Sequence, residues 1–470
     1  MAVKLDEFTE PNLTAAPSEE AYKLHRAALE WQLATPIAIR SGEDIISRDR
    51  WRDRVKPFHH QVLNLITFCR LAPAVLLADE VGLGKTVSAG LILSELIARR
   101  RVGRALVVCP RVLCDQWVQE LTDKFRIEAT VATGAEWGPA CLGTSQVVVT
   151  TYETVGRYLD AQDLTEDVFQ MLILDEAHRL RNLHGPNGPP KFATAIRNTL
   201  ESRVFNYVLM LTATPIQNRF TDVYSLIDLL TLAKGHRNPF GDWTAFRSEY
   251  LLPSTDARRL RPNMADRFRQ ILNGYVARTR RVDAALPFPI RHVETIRVPL
   301  TLAEREFEAV VGSIVGELNA LTQSSLGEAL MSSPAALAAQ LERMGDKHPQ
   351  LRTPAVRARA VAEGTNPPAK LARLYTLCDE LRASRPDWRV VVFTRRRETQ
   401  EMIRRGLTAR GVPVGMIAGG RPEENRRDTT SFLTSPPRVH VLVSTDAGAE
   451  GVNLQGCLLY TSPSPRDATL

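Results

Sequence analysis

The strongest constraint on the fold of this 470-residue chain is the alternation of short apolar runs with helix-sized segments between residues 55 and 215. Five runs, rich in Val, Leu and Ile, read AVLLA, ALVVC, QVVVTT, MLILDE and YVLMLTAT. Such runs are typical of buried parallel strands, because helices cover both faces of a parallel sheet. The pattern predicts an α/β fold with crossover helices.

A second α/β unit is predicted from about residue 370, where RVVVFT and HVLVST are the candidate strands. The predicted domains are 51–285 for the first unit, with a helical protrusion at about 216–280, and 370–456 for the second. Residues 286–369 are expected to hold an extended connector, a helix over 301–345 and an exposed, proline-rich linker at 347–370. Two units are expected because single cores rarely grow beyond about 250–300 residues.

The composition favours a cytoplasmic protein without a membrane partner. No apolar stretch approaches the roughly 18 residues of a membrane span, and the start MAVKLDEFTE lacks the features of a secretory signal. The net charge of +7 favours a polyanionic partner. Arginine exceeds lysine, which suits phosphate contacts or reflects a GC-rich genome.

Two further features carry no assigned chemistry. Residues 1–50 hold one amphipathic helical pattern, Ser18–Leu33, and their role is unknown. Six cysteines are scattered without a C-x-x-C pair or nearby histidines, so neither a zinc site nor a disulfide framework is indicated.

The segment DEVGLGKT ends as a phosphate-binding loop does, but it has Asp79 where the general pattern has its first glycine. In such loops backbone N–H groups and a helix N-terminus surround the phosphates, a lysine reaches the outer phosphates and a hydroxyl binds Mg²⁺. Gly82, Gly84, Lys85 and Thr86 supply these parts. Read alone, G-x-G-K-T is also compatible with an ordinary glycine-rich turn.

A second chemical signal is LILDEAHRL, an apolar strand that ends in Asp175 and Glu176. A Mg²⁺–phosphate centre needs one carboxylate for the metal and a second group to orient or deprotonate the attacking water. Two adjacent acids at a strand end supply both. Their combination with Lys85 and Thr86 favours this interpretation over a solvated strand terminus.

The ordered set DEVGLGKT, DEAHRLRN, LTATPIQN and STDAGAEGVNLQ resembles the motifs of superfamily-two helicase-like ATPases, specifically the Swi/Snf-type branch. In that branch the loop begins with Asp-Glu, so Asp79 fits the family. The resemblance runs from about Pro57 to Gln455. It implies two RecA-like P-loop lobes with parallel sheets and helical insertions, the second lobe incomplete, and ATP and Mg²⁺ as cofactors.

The resemblance also implies roles for residues around the nucleotide. Lys85 resembles the phosphate-binding lysine, Thr86 and Asp175 the Mg²⁺ ligands, and Glu176 the catalytic acid/base. Gln61 resembles the adenine-reading glutamine, with capping of a helix as the alternative. Gly82, Gly84 and Gly451 complete the expected nucleotide-binding set.

Other residues resemble groups that face or sense nucleic acid. His178, Thr212 and Thr214 resemble a relay between the ATP site and the nucleic-acid track, although His178 alone is compatible with a local hydrogen bond. The expected phosphate-contacting residues are Pro110, Arg111, Thr151, Thr394, Arg395 and Thr445. Arg395–Arg397 equally fits a solvated charge run, and Trp117 fits a core position better than a stacking platform.

The function implied is ATP hydrolysis coupled to translocation along double-stranded DNA, without strand separation. The bacterial groups resembled are phage-defence helicase-like proteins and RNA-polymerase-recycling ATPases, so defence-system proteins or RNA polymerase are candidate partners. The alternative is a nucleotide-gated nucleic-acid-binding protein with little turnover.

The end of the sequence departs from the family pattern. After STDAGAEGVNLQ a segment like QRxGRxxR is expected, whose arginines reach the γ-phosphate, but the chain reads GCLLYTSPSPRDATL. The segment CLLYTSPSPRDA resembles adaptor-derived read-through, so we expect 457–470 to be a non-native tail, with a short natural C-terminus as the alternative. Without the arginine segment we expect turnover by this chain to be weakened, because arginine fingers contribute about 10³–10⁵ in rate.

Overall fold

A computed structural model describes residues 42–159, 168–184, 188–216, 219–253, 257–284, 293–315, 320–345 and 348–445, with positions 18, 37, 39, 286 and 460–461. The chain divides into two compact units, unit 1 at Met1–Phe288 and unit 2 at Pro289–Leu470. The predicted helix Ser18–Leu33 lies almost wholly outside the described residues.

Unit 1 is an α/β unit in which helices and strands alternate along the chain. Its strands are β1 (Ala74–Leu77), β2 (Ala105–Cys109), β3 (Ala129–Val131), β4 (Val147–Thr151), β5 (Met171–Asp175), β6 (Tyr207–Leu211) and β7 (Val276–Ala277). Its helices are α1 (Arg48–Trp51), α2 (His59–Leu71), α3 (Lys85–Ala98), α4 (Cys114–Phe125), α5 (Trp137–Leu142), α6 (Tyr152–Tyr158), α7 (Lys191–Glu201), α8 (Phe220–Lys234), α9 (Trp243–Tyr250) and α10 (Ala265–Leu272).

The strands of unit 1 form one parallel sheet in the order β3-β4-β2-β5-β6-β1-β7. Alternate side chains of β1, β2, β4, β5 and β6 enter two separate hydrophobic cores, one on each face. In β1, for example, Leu76 packs in one core and Leu77 in the other. Burial on both faces explains why these strands read as continuous apolar runs. All five predicted strands and the α/β class are confirmed, whereas the short β3 and β7 were not predicted.

Residues shortly before the predicted domain boundary at 51 belong to the core of unit 1. Ile45 and Trp51 are buried in the core that also covers α3. The fully buried carboxylate of Glu95 on α3 accepts hydrogen bonds from the backbone N–H of Ser47 at 2.9 Å and from Arg99 Nε at 2.7 Å. The segment is therefore fastened to α3 by apolar contact and by a satisfied buried charge.

Unit 2 carries a smaller parallel sheet. Its strands are β8 (Val390–Thr394), β9 (Val414–Ile417), β10 (Val441–Thr445) and β11 (Tyr460–Thr461), in the order β11-β8-β10-β9. Its helices are α11 (Leu302–Val315), α12 (Ala320–Ser332), α13 (Pro334–Met344), α14 (Arg352–Glu363), α15 (Ala369–Ser384), α16 (Arg397–Ala409) and α17 (Pro422–Leu433). β11 pairs with β8 and lies within the range expected to be a tail.

The prediction of an exposed linker at 347–370 was wrong for most of its length. Helix α14 occupies residues 352–363, and Leu351, Ala355 and Ala358 are buried in a core shared with α11, α12 and α13. Pro354 is compatible with this helix because it lies in the first turn, where a backbone N–H has no intrahelical acceptor.

The helix expected over 301–345 is divided into α11, α12 and α13. Ser333 follows α12 and caps α13, since its side chain accepts from Ala336 N at 3.1 Å and Pro334 takes the first helical position. Strand β9 was missed because Gly415 interrupts its apolar run. A Cβ at Gly415 would lie 3.0 Å from Leu442 Cδ1, so close packing against β10 favours glycine there.

No helix among the described residues is both long and apolar enough to cross a membrane.

We expect Glu95→Ala to lower the free energy of unfolding by about 2–4 kcal/mol, because it leaves buried donors without an acceptor. The measurement is denaturant unfolding followed by circular dichroism. Glu120→Ala is the control, since Glu120 on α4 pairs with Lys124 at 3.0 Å near the surface and should cost under about 1 kcal/mol. Equal losses in the two variants would contradict the assigned role of Glu95.

Candidate active site

The candidate site lies at the carboxyl edge of the unit 1 sheet. Strand β6 lies between β5 and β1, so the loop after β1, the acids at the end of β5 and Thr212 after β6 emerge at the same edge. Ligand sites of open parallel sheets form at this edge, because the connecting loops and helix N-termini meet there. The sheet order thus brings together residues that are about ninety residues apart in the sequence.

The loop between β1 and α3 has the geometry of an anion-binding turn. Gly82 and Gly84 have φ of +87° and +74°, in the left-handed region that glycine tolerates. Gly84 precedes α3, which begins at Lys85 and continues with Thr86, so a helix N-terminus faces the loop. A Cβ on Gly84 would lie 2.5 Å from Gln61 Nε2. Both the backbone angle and this close approach favour glycine.

Asp79 is fully buried and holds the loop from two sides. Its Oδ2 accepts from Asn64 Nδ2 on α2 at 2.6 Å, and its Oδ1 accepts from the backbone N–H of Thr279 at 2.7 Å. Glycine in this position would remove the acceptor of the Thr279 N–H and one of the two acceptors of the Asn64 amide, which would keep Ser88 Oγ at 3.1 Å. The departure from the general loop pattern is therefore a structural requirement of this fold.

The backbone at 276–281 runs along the loop and extends this attachment. Ala78 N donates to Ala277 O at 2.7 Å, and Glu80 N donates to Thr279 O at 3.1 Å. The carboxylate of Glu80 accepts from Arg281 N at 2.9 Å. A segment about 200 residues away in sequence thus fixes the path of the loop.

The ammonium group of Lys85 is partly buried among carboxylates. Its Nζ donates to Asp79 O at 3.2 Å. Burial lowers the pKa of Lys85, while the charges of Glu176, Asp175 and Asp79 act in the opposite direction. The structure therefore brings Lys85 and the two acids of β5 together, as the sequence predicted.

Asp175 is a buried carboxylate whose pKa is subject to opposing influences. Its Oδ2 accepts from Trp117 Nε1 and its Oδ1 from Glu176 N, each at 2.9 Å. Burial, followed by the charge of Glu176, raises the pKa of Asp175 to about 6 against the opposing hydrogen bonds and Lys85. A divalent cation would supply the positive charge that favours the ionised form. The hard oxygens of Asp175 and Thr86 suit Mg²⁺.

Glu176 differs from Asp175 in its backbone conformation and in the direction of its pKa shift. Its φ of +51° is unusual for a side chain with a Cβ, and strain of this kind clusters at functional sites. Burial acts to raise its pKa, but the hydrogen bond and charge of His178, and then Lys85, outweigh burial and lower it. Glu176 is therefore available as an ionised base at neutral pH.

The residues expected to form a relay are connected. His178 Nδ1 lies 3.1 Å from Glu176 Oε2 and 3.2 Å from Thr212 Oγ1. Thr212 Oγ1 in turn accepts from Thr214 N at 3.1 Å. A hydrogen-bonded path thus runs from Glu176 into the loop that follows β6.

Gln61 is engaged by protein groups. Its Oε1 accepts from Phe58 N at 2.9 Å at the start of α2, and its Nε2 donates to Leu83 O at 3.0 Å. With 3% of Gln61 exposed, the structure has the capping arrangement that the sequence left open. Adenine reading by Gln61 stays a prediction.

The residues expected to contact nucleic acid are adjacent within each unit. In unit 1, Cys109 pairs with Thr151, so Pro110 and Arg111 follow β2 beside Thr151 at the end of β4. Arg111 is exposed and donates to Thr133 Oγ1 at 2.8 Å. Thr151 is 5% exposed and caps α6 by accepting from Thr154 N at 3.2 Å.

In unit 2, Thr394 pairs directly with Thr445, and both side chains are buried. Arg395 forms an ion pair with Glu328 of α12 at 3.7 Å. The structure thus gives Arg395 a protein partner and leaves Thr394 little exposed surface. Gly451 lies outside the described residues.

Sequence reasoning missed the partners that position the acids and the loop. Trp117 is buried as expected, but its indole N–H also donates to Asp175. Tyr152 Oη donates to Asp175 O at 2.7 Å. A polar atom on a buried aromatic residue is the signal that could have led to both, since such atoms usually have a partner. No local signal identifies Asn64 or Thr279.

Comparisons with known proteins bear on the family and the fold of the chain. A family model described as SNF2-related domain matches residues 52–350, and one described as helicase conserved C-terminal domain matches residues 370–460. The structure is similar to the helicase domain of Hef from Pyrococcus furiosus, with a TM-score of 0.50 and 15% sequence identity over 90% of this chain and 92% of that one. This likeness bears on the fold alone.

Two curated relatives are informative. "Uncharacterized ATP-dependent helicase YqhH" of Bacillus subtilis (strain 168) is 29% identical over 389 residues, which are 81% of this chain and 65% of YqhH. "RNA polymerase-associated protein RapA" of Serratia proteamaculans (strain 568) is 32% identical over 195 residues, which are 40% of this chain and 19% of RapA. The chain thus spans less than two thirds of the length of either relative.

We expect Asp79→Gly, which restores the general loop pattern, to destabilise unit 1 by about 1–3 kcal/mol, because the N–H of Thr279 loses its acceptor and the amide of Asn64 loses one of two. Denaturant unfolding measures the loss. Val81→Gly is a matched control, since Val81 is 62% exposed and its replacement adds only backbone freedom, at about 0.5–1 kcal/mol. If both variants unfold alike, the assigned role of Asp79 is incorrect.

Proposed function

We propose, from the premise that the chain belongs to the SNF2-related family of helicase-like ATPases, that it hydrolyses ATP and uses the energy to move along double-stranded DNA. The observation that supports this best is the convergence of Lys85, Asp175 and Glu176 at one edge of the unit 1 sheet. These residue types in this arrangement suit phosphoryl transfer to water, which depends on positioning and on neutralising phosphate charge.

Each residue has a distinct task in the proposed reaction. The N–H groups of the loop ending at Gly84 and the ammonium of Lys85 bind the phosphates of ATP. Thr86 and Asp175 would hold Mg²⁺, which neutralises phosphate charge when bound. Glu176, kept ionised by His178 and Lys85, orients the attacking water and accepts its proton.

The contacts of His178 with Glu176 and Thr212 connect the proposed hydrolysis site to the loop that follows β6. A change in the protonation or position of Glu176 alters the hydrogen bonds of His178, and hence those of Thr212 and Thr214. Movement along DNA requires phosphate contacts that change as ATP is bound and hydrolysed. We assign the coupling role to this path.

The proposed DNA contacts of unit 1 are Pro110, Arg111 and Thr151. They lie side by side at the ends of β2 and β4, at the same sheet edge as the ATP site. Backbone amides and basic side chains in such positions contact phosphates irrespective of base sequence. The net charge of +7 supports a polyanionic partner.

A second candidate function, action on RNA polymerase, is favoured by the similarity to RapA, which is named as an RNA polymerase-associated protein. The phage-defence hypothesis instead involves defence-system proteins as partners. Sedimentation of the chain with purified RNA polymerase separates the two, because the defence hypothesis requires no contact with the polymerase.

We expect Lys85→Ala to abolish binding of a fluorescent ATP analogue, because the phosphates lose their cation. Glu176→Gln should retain binding but lower duplex-stimulated ATP turnover by at least about 100-fold, because the amide cannot accept a proton. Nucleotide titration beside a turnover assay measures both. Lys124→Ala and Glu120→Gln on α4 are the matched controls. Nucleotide binding with negligible turnover in the unmodified chain would favour the nucleotide-gated binding protein instead.

We expect Arg111→Ala to weaken duplex DNA binding and to reduce the slope of log K against log salt by about 0.9, the effect of one lost phosphate contact. Fluorescence anisotropy at several salt concentrations provides the measurement. Arg126→Ala removes the same charge from a residue that is paired with Asp53, at 2.5 Å, and should leave the slope unchanged. Equal slopes for Arg111→Ala and the unmodified chain would exclude Arg111 as a phosphate contact.

A further inference from the structure

Asp175 is held by more than its position at the end of β5. Trp117 Nε1 donates to Oδ2 at 2.9 Å, and Glu176 N donates to Oδ1 at 2.9 Å. Tyr152 Oη donates to the backbone carbonyl of Asp175 at 2.7 Å. Both the main chain and the side chain of this residue are therefore fixed by other groups.

The contact with Trp117 satisfies two groups that are costly to bury alone. Trp117 is 1% exposed and Asp175 is 7% exposed. A buried indole N–H needs an acceptor, and a buried carboxylate needs donors. A hydrogen bond that only satisfies two buried groups has a structural role. Whether this one also orients the carboxylate depends on the geometry at Asp175.

The two hydrogen bonds fix the orientation of the carboxylate plane. An ionised carboxylate can accept about four hydrogen bonds or metal contacts, and here each oxygen has one position taken by a protein donor. With one donor on each oxygen, rotation about the Cβ–Cγ bond breaks at least one bond. With the Glu176 donor alone, only one hydrogen bond, from the adjacent residue, would oppose that rotation. The Trp117 hydrogen bond therefore adds to the cost of turning the carboxylate, and with it the direction of the remaining lone pairs.

We propose that Trp117 is a positioning residue, whose indole N–H holds the Asp175 carboxylate in the orientation that receives Mg²⁺ with the nucleotide. This inference rests on the proposed function, because it assigns to Asp175 the part of a Mg²⁺ ligand. Groups that orient metal ligands contribute about 10–100-fold to metal affinity or activity. Trp117 would act through Asp175 and would not touch ATP.

The test is equilibrium binding of a fluorescent, non-hydrolysable ATP analogue to the full chain, in excess Mg²⁺ and in EDTA. Trp117→Phe retains an aromatic ring in the core but removes the N–H. We expect the strengthening of binding by Mg²⁺ to fall about 10-fold in this variant, while binding in EDTA is unchanged. Because turnover is not needed, the readout is independent of catalytic competence.

Two controls separate positioning from packing. Phe125→Leu also removes part of a fully buried ring from α4, in the same core as Trp117, and should leave the Mg²⁺ effect unchanged. Site-specific incorporation of 3-benzothienylalanine at 117 keeps the shape of the side chain without the N–H and should behave like Trp117→Phe.

The proposal is overturned if the benzothienyl variant shows the Mg²⁺ effect of the unmodified chain, or if Phe125→Leu and Trp117→Phe reduce it equally. Failure of the proposed function has a different signature. In that case the unmodified chain would bind the analogue no better with Mg²⁺ than in EDTA, which removes the basis of both proposals.

Discussion

The buried carboxylate of Asp79 is the contact on which the candidate site depends. It accepts from Asn64 on α2 and from the backbone of Thr279, and so joins three parts of the chain around the phosphate-binding loop. An unpaired carboxylate at this depth would be strongly unfavourable, so the native conformation of the loop depends on α2 and on the 276–281 segment. The hydrogen bonds of Ala78 and Glu80 to that segment follow from the same arrangement. The conformation of the loop therefore depends on these tertiary contacts as well as on its glycines.

The two acids at the end of β5 show how adjacent residues of similar chemistry acquire different tasks. Burial raises the pKa of Asp175 to about 6, whereas His178 and Lys85 lower that of Glu176 in spite of burial. Groups whose pKa values are driven apart in this way can divide the roles of ligand and base. Glu176 has a left-handed backbone conformation, and its carboxylate lies 3.1 Å from His178 Nδ1.

Sequence patterns predicted the parts of the molecule that local physics determines. The five central strands were predictable because burial on both faces demands continuous apolar runs. Lys85, Asp175 and Glu176 were predictable as candidate site residues because they are charged residues that follow apolar strands, Lys85 after a glycine-rich loop and the two acids directly at the end of β5. The contact of Asp79 with Thr279 was not predictable, because it joins residues far apart in the sequence. Burial of Trp117 predicts that its indole N–H has an acceptor, but the sequence does not identify Asp175 as that acceptor. Helix α14 was missed because Pro354 and the many charges suggested a linker, while three small or apolar residues, Leu351, Ala355 and Ala358, were sufficient to bury one face. Strand β9 was missed because it contains Gly415, which interrupts the apolar run that would have indicated a strand. Glycine is favoured there because a Cβ would lie too close to its neighbours.

Helix α3 is held at both of its ends, which limits how the site can respond to a ligand. Near its N-terminus Ser88 accepts from Asn64, whose amide also binds Asp79. Near its C-terminus Glu95 accepts from the backbone of Ser47, and Arg99 reaches Asp44 O at 2.7 Å. Because α3 is also buried along most of its length, sliding it would break polar contacts at both ends together with apolar packing.

The side chains that face the nucleotide are held less firmly. Lys85 has a single hydrogen bond to the loop backbone, at 3.2 Å, and Glu176 is joined to His178 and Thr212 through side chains alone. These groups can move at much lower cost than the helix, so ligand-dependent change in unit 1 should be concentrated in Lys85 and in the Glu176–His178–Thr212 path.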